Sequence, residues 1–236
     1  VEGGGEIGDI LYDVEQNFDF VNPSKHIPDL LKAYQKVQKL KDEHWKRIKT
    51  KELKEIIEAC AGMYLEASVE SSSATPNSSV NVDFEVLNRS GVSMELSSIK
   101  ILPENKKIVK DLDLANNEKK TFTESILIPE VSYSSPYWLE KPWGLGMYTV
   151  ESQQLRGKPE TPRPIQVQFN LMIENESVSF IKPVVYRYSK RDKGEIYEPF
   201  EVLPKVTTKL LNKVLVFSSE NSQKVTVEVR SGAKNT

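Results

Sequence analysis

The stretch Val80–Leu102, VNVDFEVLNRSGVSMELSSIKIL, decides the fold class. Val80, Val82, Phe84 and Val86 alternate with Asn81, Asp83 and Glu85, a period of two that gives a strand one apolar and one polar face. The tetrapeptide NRSG (Asn88–Gly91) then supplies turn chemistry, and alternation resumes over Val92–Leu102. Working outward, Met63–Ser71 (MYLEASVES) and Thr121–Ile128 (TFTESILI) repeat the pattern, with a weaker strand at Lys107–Leu114. The polar runs SSSATPNSS, LPENKK and LANNEKK separate them. Five short strands at near-regular spacing predict an antiparallel β-sandwich over 63–130. The helix–strand alternation of a parallel α/β sheet is missing, which argues against a Rossmann-type or TIM-barrel enzyme core.

Upstream of this region the period is 3.6. Ile7, Ile10, Leu11, Val14 and Phe18 form one apolar stripe, and Asn22-Pro23 breaks it. A second helix is predicted from Ile27-Pro28, with Leu30, Leu31, Tyr34, Val37 and Leu40 on its apolar face. A third stripe, Trp45, Ile48, Leu53, Ile56, Ile57 and Cys60, runs to Gly62, a residue suited to stopping a helix. Residues 1–30 carry seven acids and one Lys, whereas residues 31–60 carry nine bases and five acids. That asymmetry allows antiparallel pairing of the helices, although such charges more often form a solvated face.

Downstream, prolines concentrate in Pro129–Pro164, and the segment predicts an extended, ordered connector. Strands resume at Ile165–Ile173 and Val178–Tyr188, where Pro183 points to an edge, a bulge or two consecutive strands. Tyr197–Leu203, Val206–Leu211, Lys213–Ser218 and Lys224–Arg230 complete the pattern. The expected fold is mainly β with an N-terminal helical segment (1–62). Two antiparallel, Ig-like β-sandwich modules (63–130 and 165–236) follow, joined by a Pro/aromatic-rich connector (131–164). The abrupt ends predict a piece of a longer protein, with the second module truncated at its C-terminus.

The 236 residues hold 32 Lys plus Arg and 34 Asp plus Glu, a formal charge of −2. That balance lacks the electrostatic footprint of a nucleic-acid binder, and no nucleic-acid partner is expected. No run of about 18 apolar residues exists, so no membrane-spanning segment is predicted. A single cysteine, Cys60, precludes an internal disulfide and reads as a small core residue. The two histidines, His26 and His44, have no ligand spacing beyond Asp42 and Glu43, which read as helix-surface acids. No GxGxxG, GxxxxGK[ST], HExxH, GxSxG or CxxC pattern occurs. No catalytic residue, metal ligand or cofactor is therefore expected in this chain.

The connector holds Tyr137, Trp138, Trp143 and Tyr148 within 12 residues, among Pro and Gly. Exposed rings on a rigid loop can stack on sugar faces, which makes Tyr137, Trp138 and Trp143 candidate glycan-binding residues. The competing reading places these rings in a buried seam between two sandwiches. Three N-x-[ST] sequons, at Asn77, Asn88 and Asn175, fall in predicted turns.

Longer strings carry a family likeness. PYWLEKPWGLGMYTV (136–150), KPETPRPIQVQFNLMIENESVSFIKPVVYRY (158–188) and GEIYEPFEVLP (194–204) resemble the non-catalytic C-terminal part of large PIG-L (LmbE-like) deacetylases of Bacteroidetes-type bacteria. The segment His44–Ser90 resembles the part of those proteins that joins their helices to a NEW3-like β-sandwich. The family's catalytic domain is an α/β unit that binds zinc through a His-Pro-Asp-Asp-type motif and deacetylates N-acetylglucosamine-type substrates. Here His26 is followed by Ile27, Pro28 and Asp29, which does not match the motif, and no catalytic or metal residue carries over. The resemblance implies a non-catalytic accessory region whose partner is the zinc-dependent catalytic domain of the same polypeptide, with glycan as a further partner. It also implies a periplasmic or cell-surface location.

Overall fold

The N-terminal stripes fold as three helices, α1 (Gly4–Gln16), α2 (Ile27–Gln38) and α3 (Glu43–Cys60). The first ends at Gln16, capped by Asn17, before the expected Phe18 and well before Asn22-Pro23, which instead opens a short 3₁₀ turn, Pro23–His26. That turn leads into the second helix, whose Pro28 stands in the first turn where its missing N–H costs nothing. Ile27, Leu30, Leu31, Tyr34 and Val37 are all buried on one face of α2. The Asp42 carboxylate caps α3, accepting hydrogen bonds from the backbone N–H groups of His44 at 3.0 Å and Trp45 at 3.1 Å. At the other end Met63 N–H bonds to Glu58 C=O and Gly62 N–H to Ala59 C=O, both at 3.0 Å. With Gly62 at φ +58°, this is the left-handed Schellman ending.

The computed structural model describes residues 1–130 and 133–232, so the connector expected over 131–164 opens, and the module expected to end at 236 closes, outside the described residues. Two units result. One comprises Val1–Ser68, Val82–Glu124 and Gln166–Val184; the other comprises Val69–Asn81, Ser125–Ile165 and Val185–Thr236. The protein is mainly β with an N-terminal helical segment. Its strands are β1 (Tyr64–Val69), β2 (Ser73–Ala74), β3 (Ser79–Leu87), β4 (Met94–Leu102), β5 (Lys106–Asp113) and β6 (Lys120–Leu127), then β7 (Gln166–Ile173), β8 (Glu176–Lys190), β9 (Gly194–Pro199), β10 (Glu201–Val202), β11 (Val206–Leu210) and β12 (Val227–Ser231).

In the first unit the strands lie in the order β5-β4-β7-β8-β1-β3-β6. Gln166–Ile173, expected to open a separate sandwich, instead pairs antiparallel with β4 along its whole length, from Leu102↔Gln166 to Met94↔Ile173. β8 closes a hairpin onto β7 and places the sequence-distant β1 at its other edge. Such long-range pairing leaves no trace in local alternation, which reports a strand's faces and not its neighbour. The alternation itself is kept: Val82, Phe84 and Val86 of β3 and Val167, Phe169, Leu171 and Ile173 of β7 point inward. Phe84 meets Phe169 edge-on at 6.2 Å and stacks on Phe122 at 4.9 Å, centring this core.

In the second unit, Val185–Lys190 of β8 pairs with β9, β2 pairs parallel with β10, and β11 pairs antiparallel with β12. β8 runs unbroken through Pro183: its ladder with β7 ends at Pro183 and that with β9 begins at Val185, so the missing N–H falls at a change of partner. The expected strand Tyr197–Leu203 is split at the buried Phe200. Lys213–Ser218 forms no strand. Val214, Val216 and Phe217 are exposed there, because alternation makes a strand only where a partner takes the ladder.

Candidate functional site

Two surface grooves, one in each unit, bring together side chains from the apolar stripes and from the aromatic cluster. The first lies on the helices. Ile7 and Leu11 of α1, Val37 and Leu40 at the end of α2, and Trp45, Leu53 and Ile56 of α3 line a groove of about 350 Å³. The α3 stripe read as core is only partly so. Leu53 and Ile57 are buried, whereas Trp45 is 42% and Ile56 44% exposed. Gly8 also lines the groove, and a Cβ there would meet no atom within 4 Å. Lys49 and Glu52 stand at the rim, paired at 2.7 Å, with the Lys49 ammonium 5.8 Å over the Trp45 ring. The charge asymmetry of the helices is expressed as two α1-side to α2-side ion pairs, Glu6–Lys36 and Glu2–Lys41. Glu6 is held below the usual carboxylate range by its hydrogen bond from Lys36. Both pairs are solvent-exposed and contribute little to stability.

The second groove, about 830 Å³, lies in the other unit and is lined by Tyr133, Pro136, Trp138, Glu140, Arg163 and Glu201, among others. A short 3₁₀ turn, Tyr137–Leu139, presents Trp138 to it. Tyr137 is turned inward: its hydroxyl donates to Lys158 C=O at 2.9 Å and its N–H to Thr161 Oγ1 at 3.0 Å. Its ring meets Trp138 edge-on at 4.9 Å, so Tyr137 buttresses the indole and offers no face of its own. Trp143 is 66% exposed and is not among the groove-lining side chains. Of the three candidate glycan residues, the fold therefore joins Tyr137 with Trp138 and leaves Trp143 outside. Arg163, also in the groove wall, bridges Glu160 and Glu201. Tyr133, Glu201 and Arg163 were missed by sequence reasoning, since only the fold gathers positions so far apart.

His26 is buried, stacks on Phe18 at 5.2 Å, and its Nε2 accepts the Asp19 N–H at 2.9 Å. That bond ties the α1–α2 loop and occupies the ring nitrogen. His44 lies in the first turn of α3, edge-on to Trp45 at 5.6 Å. Cys60 is half-buried, and burial pushes its thiol above the ordinary cysteine value. Among the described residues no three His, Cys, Asp or Glu side chains are grouped to hold a metal ion. No described helix is long and apolar enough to cross a membrane. The Asn88 sequon sits in its turn with the side chain inward, donating to Val92 C=O and Leu114 C=O and accepting from Ser90.

No protein-family model and no curated protein matches the chain. Among solved structures, a β-glucosidase from Listeria innocua in complex with isofagomine is similar at 16% identity and a TM-score of 0.23, covering 52% of this chain and 16% of that one. The alkylpurine DNA glycosylase AlkC of Pseudomonas fluorescens aligns at 8% identity and a TM-score of 0.24, over 72% of this chain and 49% of that one. The sporulation control protein Spo0M of Bacillus subtilis aligns at 12% identity and a TM-score of 0.23, over 52% and 49%. The chain thus spans less than half the length of each, and likenesses this weak carry no argument about what it does.

Proposed function

We propose that this chain is a non-catalytic accessory region that docks a partner domain against its helical unit, the partner being the PIG-L-type deacetylase domain implied by the resemblance. The observation that supports this reading is the α1–α2–α3 groove, whose walls are apolar and whose Trp45 and Ile56 stand open to water at its mouth. An indole held at a concave apolar surface and rimmed by one ion pair has the composition of an interface anchor. A β-rich, Ig-like framework then serves to position the docked domain. The test is to mix the purified chain with the deacetylase domain of the same polypeptide and follow complex formation by sedimentation velocity. A complex that is lost with Trp45→Glu is expected. Two independent species at tens of micromolar concentration would overturn the reading.

A second reading is favoured by Trp138: the larger groove takes a carbohydrate, with a sugar ring on the indole and hydroxyls bonded to Glu201 and Arg163. Titration with N-acetylglucosamine oligomers, read by tryptophan fluorescence, should show a saturable shift that disappears in Trp138→Ala. A flat titration removes this reading and leaves the docking reading standing.

A further inference from the structure

We propose that the cleft between α3 and β8 in the first unit is a binding site for an oxyanion group, a phosphate or a carboxylate, carried on a larger molecule. Positions 47, 50, 54 and 58 of α3 fall three or four residues apart and so share one flank of the helix. That flank carries Arg47, Thr50, Lys54 and Glu58, and with Ser179 and Lys182 of β8 it encloses about 550 Å³.

The charges around this space do not cancel. Glu43 is taken by Lys46 at 3.4 Å, Glu55 by Lys51 at 3.6 Å, and Glu58 reaches across to Lys182. Two cations, Arg47 and Lys54, are left with no carboxylate among the described residues. Lys54 is the unusual one. Its ammonium lies 6.0 Å over the Tyr34 ring and donates to Ser179 Oγ at 3.3 Å, and burial lowers its pKa. A half-buried ammonium with only a neutral partner is costly, and an anion in the cleft relieves that cost.

The geometry also supplies the rest of a recognition set. Ser179 Oγ accepts from Lys54, so its own proton is free to donate to a ligand oxygen. The exposed Arg47 guanidinium offers a planar fork for a second pair of bonds. The cleft is too large for a bare phosphate, and the half-exposed Ile181 at its edge gives the ligand's body an apolar contact.

The experiment is calorimetric titration of the whole chain with inorganic phosphate and, in parallel, with succinate, at constant ionic strength in chloride. Saturable binding of either, weakened about tenfold or more in Lys54→Met and in Arg47→Met and unchanged in Lys107→Met, on the exposed face of β5, is the expected result; tenfold corresponds to about 1.4 kcal/mol. Arg47 is exposed, so Arg47→Met decides the matter even where Lys54→Met fails to fold. No saturation by either anion, or equal affinity in Arg47→Met and the parent, would overturn the proposal.

Discussion

Gly62, at the end of α3, stands so close to Arg89 that a Cβ on the glycine would lie 3.1 Å from the arginine Cβ. The glycine also holds φ +58°, a region that costs an L-residue roughly 1–2 kcal/mol. This one position turns the chain from the last helix into the first strand. Gly62→Ala is therefore expected to lower the stability of the chain by at least about 1 kcal/mol in urea denaturation. Unchanged stability would mean that the Schellman ending adds nothing.

Asp42 makes a second local prediction. Its carboxylate is the only N-terminal side-chain cap among the three α-helices, satisfying two N–H groups of α3. Asp42→Ala should cost about 1 kcal/mol, whereas Asp42→Asn, which keeps an acceptor oxygen, should cost less. Chemical denaturation of both variants against the parent checks the order. Equal losses would assign the effect to charge at the helix N-terminus instead of the cap.

Much of this was legible in the sequence, for reasons tied to particular residues. The start of α2 at Ile27-Pro28, the stop at Gly62 and the alternation over Val80–Leu102 are local signals, and local signals survive folding; the first helix, expected to run to Asn22-Pro23, ends at Gln16. What alternation lacks is the identity of the neighbour, so the pairing of Gln166–Ile173 with β4 was not readable. Apolar periodicity also overstated burial on α3, where Trp45 and Ile56 share the stripe of Leu53 and Ile57 but face the groove. At the candidate sites, Trp138 was visible as one of a cluster of rings, yet only the hydrogen bonds of Tyr137 show which ring is free. Lys54 and Ser179, 125 positions apart, carried no joint signal at all.

The half-buried ammonium of Lys54 predicts a pH dependence. Lys54 has its pKa lowered from 10.5 by burial, so between the lowered value and 10.5 the unfolded chain binds more protons than the folded one. Stability contributed by this group therefore rises with pH across that window. Below it, where Lys54 is charged in both states, the contribution is constant and unfavourable. The groups facing it are Tyr34 on α2, Glu58 and Lys51 on α3, and Ser179 and Lys182 on β8. Tyr34, raised by burial and then by Glu176, acts in the opposite sense, with stability lost as pH rises above its ordinary 10. Comparing the parent with Lys54→Met largely cancels the tyrosine. The expected result is that the parent gains on the variant as pH approaches 10.5, with no slope near neutrality. A flat difference would place the ammonium in water.

Cys60 should be a slow nucleophile. Its thiol is half-buried and pushed above the ordinary value by burial, so little thiolate is present near neutral pH. Alkylation by iodoacetamide at pH 7.5 should run well below the rate for free cysteine and rise to it in urea. A rate equal to free cysteine under native conditions would contradict the burial.

The docking reading is tested most directly by hydrogen–deuterium exchange on the chain, alone and mixed with the deacetylase domain proposed as its partner. Docking at the groove should add protection confined to Gly4–Leu11 and Trp45–Ile56, two helical stretches that wall it. Protection elsewhere with these stretches unchanged, or no protection anywhere, would contradict it.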